Sequence, residues 1–257
     1  IPVVVLEADL TPGLASKITA VFATKVLYSF EESARFLPAS KSVYTGLPIN
    51  KQILQGSPET GLTLCHFSHA KTELPVLCVM GGSTGSLAIE SLLARDLAKI
   101  LLGFRIIFLG GTARLACNDG PLNRALKTLP TALTHQRIKI FPYVTSEMPH
   151  LYAASDFALS RAGAHSIFEL LMMKIPVLYI PLEQGSRGDQ LDNARIFEQK
   201  GISLVAREQE LAVQDSLWQK ISELKQKSST LNLSAPKMRQ NQLAASDNVI
   251  TAISDYL

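Results

Sequence analysis

Cysteine is scarce: the chain of 257 residues has three, Cys65, Cys78 and Cys117. Their odd number, and the lack of any CxxC or metal-type spacing, exclude a disulfide framework and point to buried thiols in a reducing compartment. Long apolar runs are missing too. None approaches the roughly 18–20 residues that cross a bilayer, and no signal-peptide pattern is visible. Charge is nearly balanced, with 25 Lys and Arg against 22 Asp and Glu and a net charge of +3. That mild excess argues against a nucleic-acid partner and leaves room for a phosphate-bearing ligand or anionic headgroups. No His, Cys, Asp and Glu cluster with ligand spacing is present, so neither a metal nor a cofactor is expected.

What is present is a chain that is 47% apolar and 18% charged, enough for one large domain or two modest ones with a real core. It opens IPVVVLEAD, without methionine and already in mid-strand, as the interior of a longer protein would. Short apolar runs predict strands at 2–6, 25–29, 42–44, 76–80, 105–109, 138–141, 157–160, 177–180 and 203–205. Helical patterns lie between most of them, at 85–102, 148–153, 164–173 and 188–200, and beyond them at 217–227 and 247–257. Near-continuous hydrophobic strands alternating with helices predict an α/β fold, a Rossmann-like parallel sheet covered on both faces. Residues 1–47 read as the last β-α-β piece of a second Rossmann-like domain. The segment from Gly46 to Leu62 carries the Gly and Pro punctuation of a linker. The basic stretch Lys220–Arg239 reads as a solvated helix and loop.

Three seams between a strand and a helix concentrate polar residues. In MGGSTGS, the glycines Gly81, Gly82 and Gly85 allow a tight turn and close backbone approach to a ligand, and Ser83 adds a hydroxyl. The free amides and partial positive charge of the helix that follows suit phosphate. The pattern is neither GxGxxG nor a P-loop, and a plain tight turn would use the same glycines. In SRAGAHSIFEL, Gly163 permits the turn, and Ala164, His165 and Ser166 supply first-turn amides. Glu169 lies four residues after His165 on the same helical side, where a carboxylate could accept from a ribose diol. A favourable charge near a helix N-terminus is the other reading of Glu169, and a capping histidine the other reading of His165. In IPLEQGSRGDQLDNA, Asp189 and Gln190 can donate and accept for sugar hydroxyls, or simply cap a helix. All three seams fall at the carboxyl ends of strands in one parallel sheet, where this architecture binds ligands. Together they read as a nucleotide-sugar site.

With these motifs in this order, the chain resembles the MurG family, bacterial glycosyltransferases that add N-acetylglucosamine to lipid I, in its low-GC Gram-positive form. The resemblance covers nearly the whole chain. It implies a GT-B arrangement: a remnant of the acceptor domain at 1–47, a donor domain at 48–240, and a C-terminal helix at 241–257 that returns to the acceptor domain. It implies transfer with inversion from UDP-GlcNAc to undecaprenyl-linked lipid I, giving lipid II for peptidoglycan, at the cytoplasmic face of the membrane. The run Gly163, Ala164, His165, Ser166, Ile167, Phe168 and Glu169 would then line the donor site. Ser83 and the amides of His165 and Ser166 would hold the diphosphate, Glu169 the ribose, and the backbone of Val144 the uracil. Ala164, Asp189 and Gln190 would meet the sugar, Asp9 would reach it from the acceptor side, and Arg161 would stabilise the departing pyrophosphate.

The chain departs from the family pattern in two places. Asn50 stands where the family has an arginine that meets the donor, with Lys51 beside it. The glycine-rich loop carrying the histidine proposed as base is not in this sequence, so no catalytic base is assigned. In the transferase reading the N-terminal half is absent from this chain or supplied by a partner. The alternatives are a truncated or degenerate UDP-GlcNAc-binding module without transfer, or a related UDP-sugar glycolipid synthase. Val249, Ile250, Ile253 and Leu257 predict exposed apolar surface at the C-terminal end, and hence self-association or a partner.

Overall fold

The computed structural model of the chain describes residues 1–68, 74–82, 84–112, 119–183 and 189–256. The first 47 residues form a three-stranded parallel sheet, β1 (Val4–Glu7), β2 (Lys25–Tyr28) and β3 (Ser42–Tyr44), with α1 (Leu14–Phe22) between the first two strands. The second sheet holds β4 (Val76–Met80), β5 (Arg105–Leu109), β6 (Ile138–Phe141), β7 (Phe157–Ser160), β8 (Val177–Tyr179) and β9 (Leu204–Val205). All six are parallel, in the order β6-β5-β4-β7-β8-β9. The chain therefore winds outward in one direction from β4 and in the other from β7. The gap between the carboxyl ends of those two strands is the switch point at which doubly wound sheets bind ligands.

The strands have two buried faces because side chains alternate across them. Val76, Cys78 and Met80 of β4 enter one core and Leu77 and Val79 the other. The first core is closed by α2 (Pro58–Cys65), α6 (Met148–Ala153), α7 (Ala164–Met173) and α8 (Asp189–Gln199). The second is closed by α3 (Leu87–Gly103), α4 (Pro121–Lys127) and α9 (Ser216–Lys227). The remaining helices are α5 (Thr131–Arg137), α10 (Pro236–Leu243) and α11 (Ala245–Ile253).

The expected linker is instead structured. A 3-10 helix spans Lys51–Gln55, and α2 follows with Ser57 accepting from the Thr60 amide at 3.2 Å and Pro58 in its first turn. Its glycines serve close packing rather than freedom. A Cβ at Gly56 would lie 1.9 Å from the Pro149 carbonyl oxygen, and one at Gly61 would lie 2.1 Å from that of His150. The basic stretch after Lys220 likewise ends in a second helix, α10.

Residues 1–47 are tied to the rest by side chains. Asn193 is fully buried; its Oδ1 accepts the Leu10 amide at 2.9 Å, and its Nδ2 donates to Asp9 Oδ1 at 2.8 Å and to the Ala162 carbonyl at 3.2 Å. Helix α11 returns to this segment, where Asn248 donates to the Thr45 carbonyl and Lys25 to that of Ala252. Ile250 on α11 is exposed as expected, but the larger apolar surface lies elsewhere. It is formed by Val4 and Leu6 of β1 with Leu14, Ile18, Val21 and Phe22 of α1.

Candidate functional site

Two adjoining clefts open at the carboxyl ends of the strands, sharing Gly82 and Ser166 as walls. The narrower, about 200 Å³, is mostly apolar: Met80, Leu109, Phe141, Val144 and Met148 form its sides, and Tyr152 and Glu169 add polar atoms. The wider, about 510 Å³, is the more polar of the two and runs from Gly81–Gly82 and Thr84–Ser86 across to Arg161, Gly163–Ser166, Leu182 and Gln190. A flat apolar slot beside a polar trough suits a ligand with an aromatic ring at one end and charge at the other.

The trough owes its character to α7. The residue before this helix, Gly163, offers no side chain to cap it, so the first-turn amides of Ala164, His165 and Ser166 are not met by a cap. The Ile167 amide is already bonded to the Gly163 carbonyl at 3.0 Å. Uncapped amides at the positive end of a helix dipole form an anion site. Gly163 itself has ordinary extended angles, φ −67° and ψ 143°, so the turn does not require glycine, contrary to expectation. A Cβ there would meet nothing within 4 Å; it would project into the trough. The glycine keeps the site open.

The glycines of the first seam do bend the chain. Gly82 and Gly85 both have φ +88°, which other residues adopt only with strain. A Cβ on Gly85 would stand 2.3 Å from the Gly110 carbonyl oxygen, and one on Gly111 (φ +80°) would stand 2.2 Å from the Gly85 amide nitrogen. The loops after β4 and β5 thus interlock through backbone. Gly111 is also a wall of the apolar cleft.

Glu169 sits one turn into α7 and faces the narrower cleft, where its Oε2 accepts from the Tyr152 hydroxyl at 2.8 Å. Burial pushes its carboxyl above the usual glutamate range, while Tyr152 and His165 pull the other way. Val144 lines the same cleft, and His165 and Gln190 line the trough. Gln190 also accepts the Leu182 amide at 2.9 Å through its side-chain carbonyl, and Asp189 begins α8 next to it.

Other expected residues stand differently. Ile167 and Phe168 turn their side chains into the first core, 0% and 3% exposed, so neither faces a ligand. Arg161 lines the trough, but its guanidinium is buried and bonded to protein groups. Asn50 is exposed and caps the 3-10 helix, accepting from the Gln52 amide at 3.0 Å, away from both clefts. Lys51 faces Asp247 across 3.8 Å on the surface. Asp9 is half-buried beside the β7–α7 seam, held there by Asn193. Ser83 lies outside the described residues. Tyr152, Ser86 and Asn193 were not anticipated. Only the position of Tyr152 one strand before Glu169 hinted at a contact between them.

Residues 76–251 match the glycosyltransferase family 28 C-terminal domain. The chain belongs to this family. It is 42% identical over 226 residues to the UDP-N-acetylglucosamine–N-acetylmuramyl-(pentapeptide) pyrophosphoryl-undecaprenol N-acetylglucosamine transferase of Clostridium botulinum, covering 88% of this chain and 58% of that protein. The transferase 3 of the same description from Bacillus thuringiensis is 36% identical over 256 residues, 99% of this chain and 67% of that protein. The chain thus spans about six-tenths of the relatives' length. The crystal structure of Acinetobacter baumannii MurG has the same fold, with a TM-score of 0.70 at 21% identity over 99% of this chain and 67% of that one. The UDP-GlcNAc 2-epimerase of Neisseria meningitidis, bound to UDP-GlcNAc, has a TM-score of 0.60 at 14% identity over 99% of this chain and 70% of that one.

Proposed function

We propose that this chain is the donor half of an inverting glycosyltransferase that moves N-acetylglucosamine from UDP-GlcNAc to the undecaprenyl-pyrophosphoryl MurNAc-pentapeptide of peptidoglycan synthesis. The observation that carries this reading is the juxtaposition within α7 of uncapped first-turn amides and, one turn on, a half-buried carboxylate in an apolar slot. A uracil ring fits the slot beside Val144, the ribose diol donates to Glu169, and the diphosphate takes the amides of His165 and Ser166. Gln190, Asp189 and Ala164 meet the sugar, and Asp9 approaches it from the first sheet.

In such a transfer, an acceptor hydroxyl attacks the anomeric carbon as the bond to UDP breaks, and negative charge grows on the departing diphosphate. The amides of α7 are fixed in advance where that charge develops, which lowers the barrier without reorganisation. The described residues of the clefts hold donor-side groups; no residue of this chain is assigned as the base. The acceptor is lipid-linked in the relatives' description, so the reaction belongs at the cytoplasmic membrane face, with the protein bound peripherally. No helix among the described residues is long and apolar enough to cross a membrane.

A second reading is donor binding without transfer, since the described residues that line the two clefts supply donor-side groups and none is assigned as a base. Calorimetric titration with UDP-GlcNAc, UDP-glucose and UDP tests the donor site. Binding that prefers UDP-GlcNAc over UDP-glucose supports it, and no binding of any of the three overturns it. Transfer to a lipid I analogue then separates the two readings.

A further inference from the structure

Arg161, at the carboxyl end of β7, gathers three other chain segments onto one guanidinium. Its Nη1 donates to the carbonyls of Ile180 at 3.0 Å and Pro181 at 3.3 Å and to Glu208 Oε1 at 2.5 Å. Its Nη2 donates to Ser86 Oγ at 2.6 Å. The residue is 7% exposed. Such a cation is best held by a carboxylate and several carbonyls, since burial without partners is costly.

Ser86 is the N-cap of α3, and its Oγ also accepts the Ile89 amide at 3.3 Å. A serine hydroxyl has two acceptor lone pairs and one hydrogen. Arg161 and Ile89 engage both lone pairs, and among the described residues the hydrogen meets no acceptor. Ser86 also lines the polar trough, together with the first-turn residues of α7.

We propose that Ser86 is a diphosphate-binding residue whose hydroxyl hydrogen is aimed into the trough by Arg161. Arg161 is then a positioning residue that acts through Ser86 and is charge-balanced by Glu208, instead of touching the phosphates. Loss of the Arg161 contact frees a lone pair on Ser86 and lets the hydroxyl rotate away. Lysine cannot replace it, because one ammonium cannot span the Ile180 and Pro181 carbonyls that follow β8 and the Ser86 hydroxyl in the fixed fork of a guanidinium. This inference rests on the donor-site reading above.

The test compares UDP with uridine, which lacks the phosphates, in NMR titrations of the 257-residue chain. Ser86→Ala should weaken UDP about tenfold, the worth of a hydrogen bond to a charged group, and leave uridine unchanged. Ser86→Thr, which keeps the hydroxyl, should recover most of that loss. Ser86→Asp keeps the cap and the Arg161 partner but has no hydrogen to give. It should fold and bind uridine while losing UDP, so a folding defect in the alanine variant does not decide the matter. Arg161→Lys should weaken UDP alone, and added to Ser86→Ala it should cost nothing more. Equal losses for UDP and uridine, or a further loss in the double variant, would overturn the proposal. Failure of the unaltered chain to bind UDP would instead overturn the donor-site reading, and this inference with it.

Discussion

The Tyr152 hydroxyl donates to Glu169 Oε2 at 2.8 Å, from a side chain that is 1% exposed, on the floor of the apolar cleft. The tyrosine fixes one carboxylate oxygen and leaves the other to face a ligand. It also compensates in part for burying the carboxylate, and that has consequences for stability and binding together.

Glu169→Gln should stabilise the free protein near neutral pH while weakening UDP binding. Burial raises the Glu169 carboxyl above its ordinary value of 4.5. A raised carboxyl favours the folded state below that ordinary value, and the advantage is lost as pH rises through the folded one. Above both, the native protein bears the cost of a buried charge, which glutamine removes. Melting curves should therefore place the variant a few degrees higher at pH 7–8 and level with the parent near pH 4. An equal melting temperature at both pH values would count against the assigned burial cost. Tyr152→Phe should reduce the preference for UDP over 2′-deoxy-UDP, because an unanchored carboxylate reads the diol less well.

Gly163 and Gly85 should respond in opposite ways to alanine. Gly163→Ala fits the backbone, so its melting temperature should stay within about 2 °C, the unfolded-state gain offsetting a poorer cap. Its methyl group projects into the trough and should weaken UDP clearly. Gly85→Ala has no room, with φ +88° and a carbonyl oxygen 2.3 Å from the new carbon, and should cost about 2–4 kcal/mol. Loss of stability in Gly163→Ala with unchanged binding would reverse both assignments.

The parallel sheet was legible because buried strands such as VLCVM and RIIFL are continuous apolar runs between punctuated helices. Five of the nine strands, those at 42–44, 76–80, 105–109, 138–141 and 157–160, and two helices, at 148–153 and 164–173, match the observed bounds. Helix α2 was not seen, although Ser57-Pro58-Glu59 is a capping signal, because Gly56 and Gly61 read as flexibility. Their real role, backbone contact with α6, depends on a partner some ninety residues away. The seam at 159–171 was recognisable as a polar turn from strand to helix, but its internal wiring was not. Spacing cannot tell that Phe168 faces the core while Glu169 faces the cleft floor, nor that Arg161 meets Glu208 from beyond β9. Gly111 followed a strand in the same manner as Gly82, and that similarity was the available signal.

Asp96 should govern acid stability in the second core. It is 2% exposed on α3, and its carboxylate accepts the amides of Asp215, Leu217 and Trp218 at 3.0–3.1 Å, capping α9 from a neighbouring helix. Burial by itself would raise this carboxyl, but Arg95 and the amides outweigh it and hold it below its ordinary 3.8. A depressed carboxyl contributes stability above its ordinary value that is lost as pH falls through the folded one. Asp96→Asn should therefore cost about 2–4 kcal/mol at pH 7, and the gap should narrow below pH 4 in urea titrations. A constant gap across that range would show that packing, not charge, sets the cost.

Asn193 should be the residue that sets how Asp9 sits beside the β7–α7 seam. It gives a hydrogen to Asp9 Oδ1 at 2.8 Å and takes one from Leu10 at 2.9 Å, both across the junction of the two sheets. Asn193→Asp keeps the acceptor but places a second carboxylate against Asp9 where a donor stood. Two like charges at hydrogen-bond distance cannot both stay ionised without penalty. The variant should lose about 2–4 kcal/mol at pH 7 and recover part of it near pH 5, as the pair takes up one proton. Asp9→Asn in the same chain restores a donor facing a carboxylate and should return part of the stability at pH 7, the Ala162 carbonyl still lacking the donor it had from Asn193. Limited proteolysis around residue 10 would follow the same order, fastest for Asn193→Asp alone. A double variant as labile as that single one would mean that the junction is held by something other than this contact.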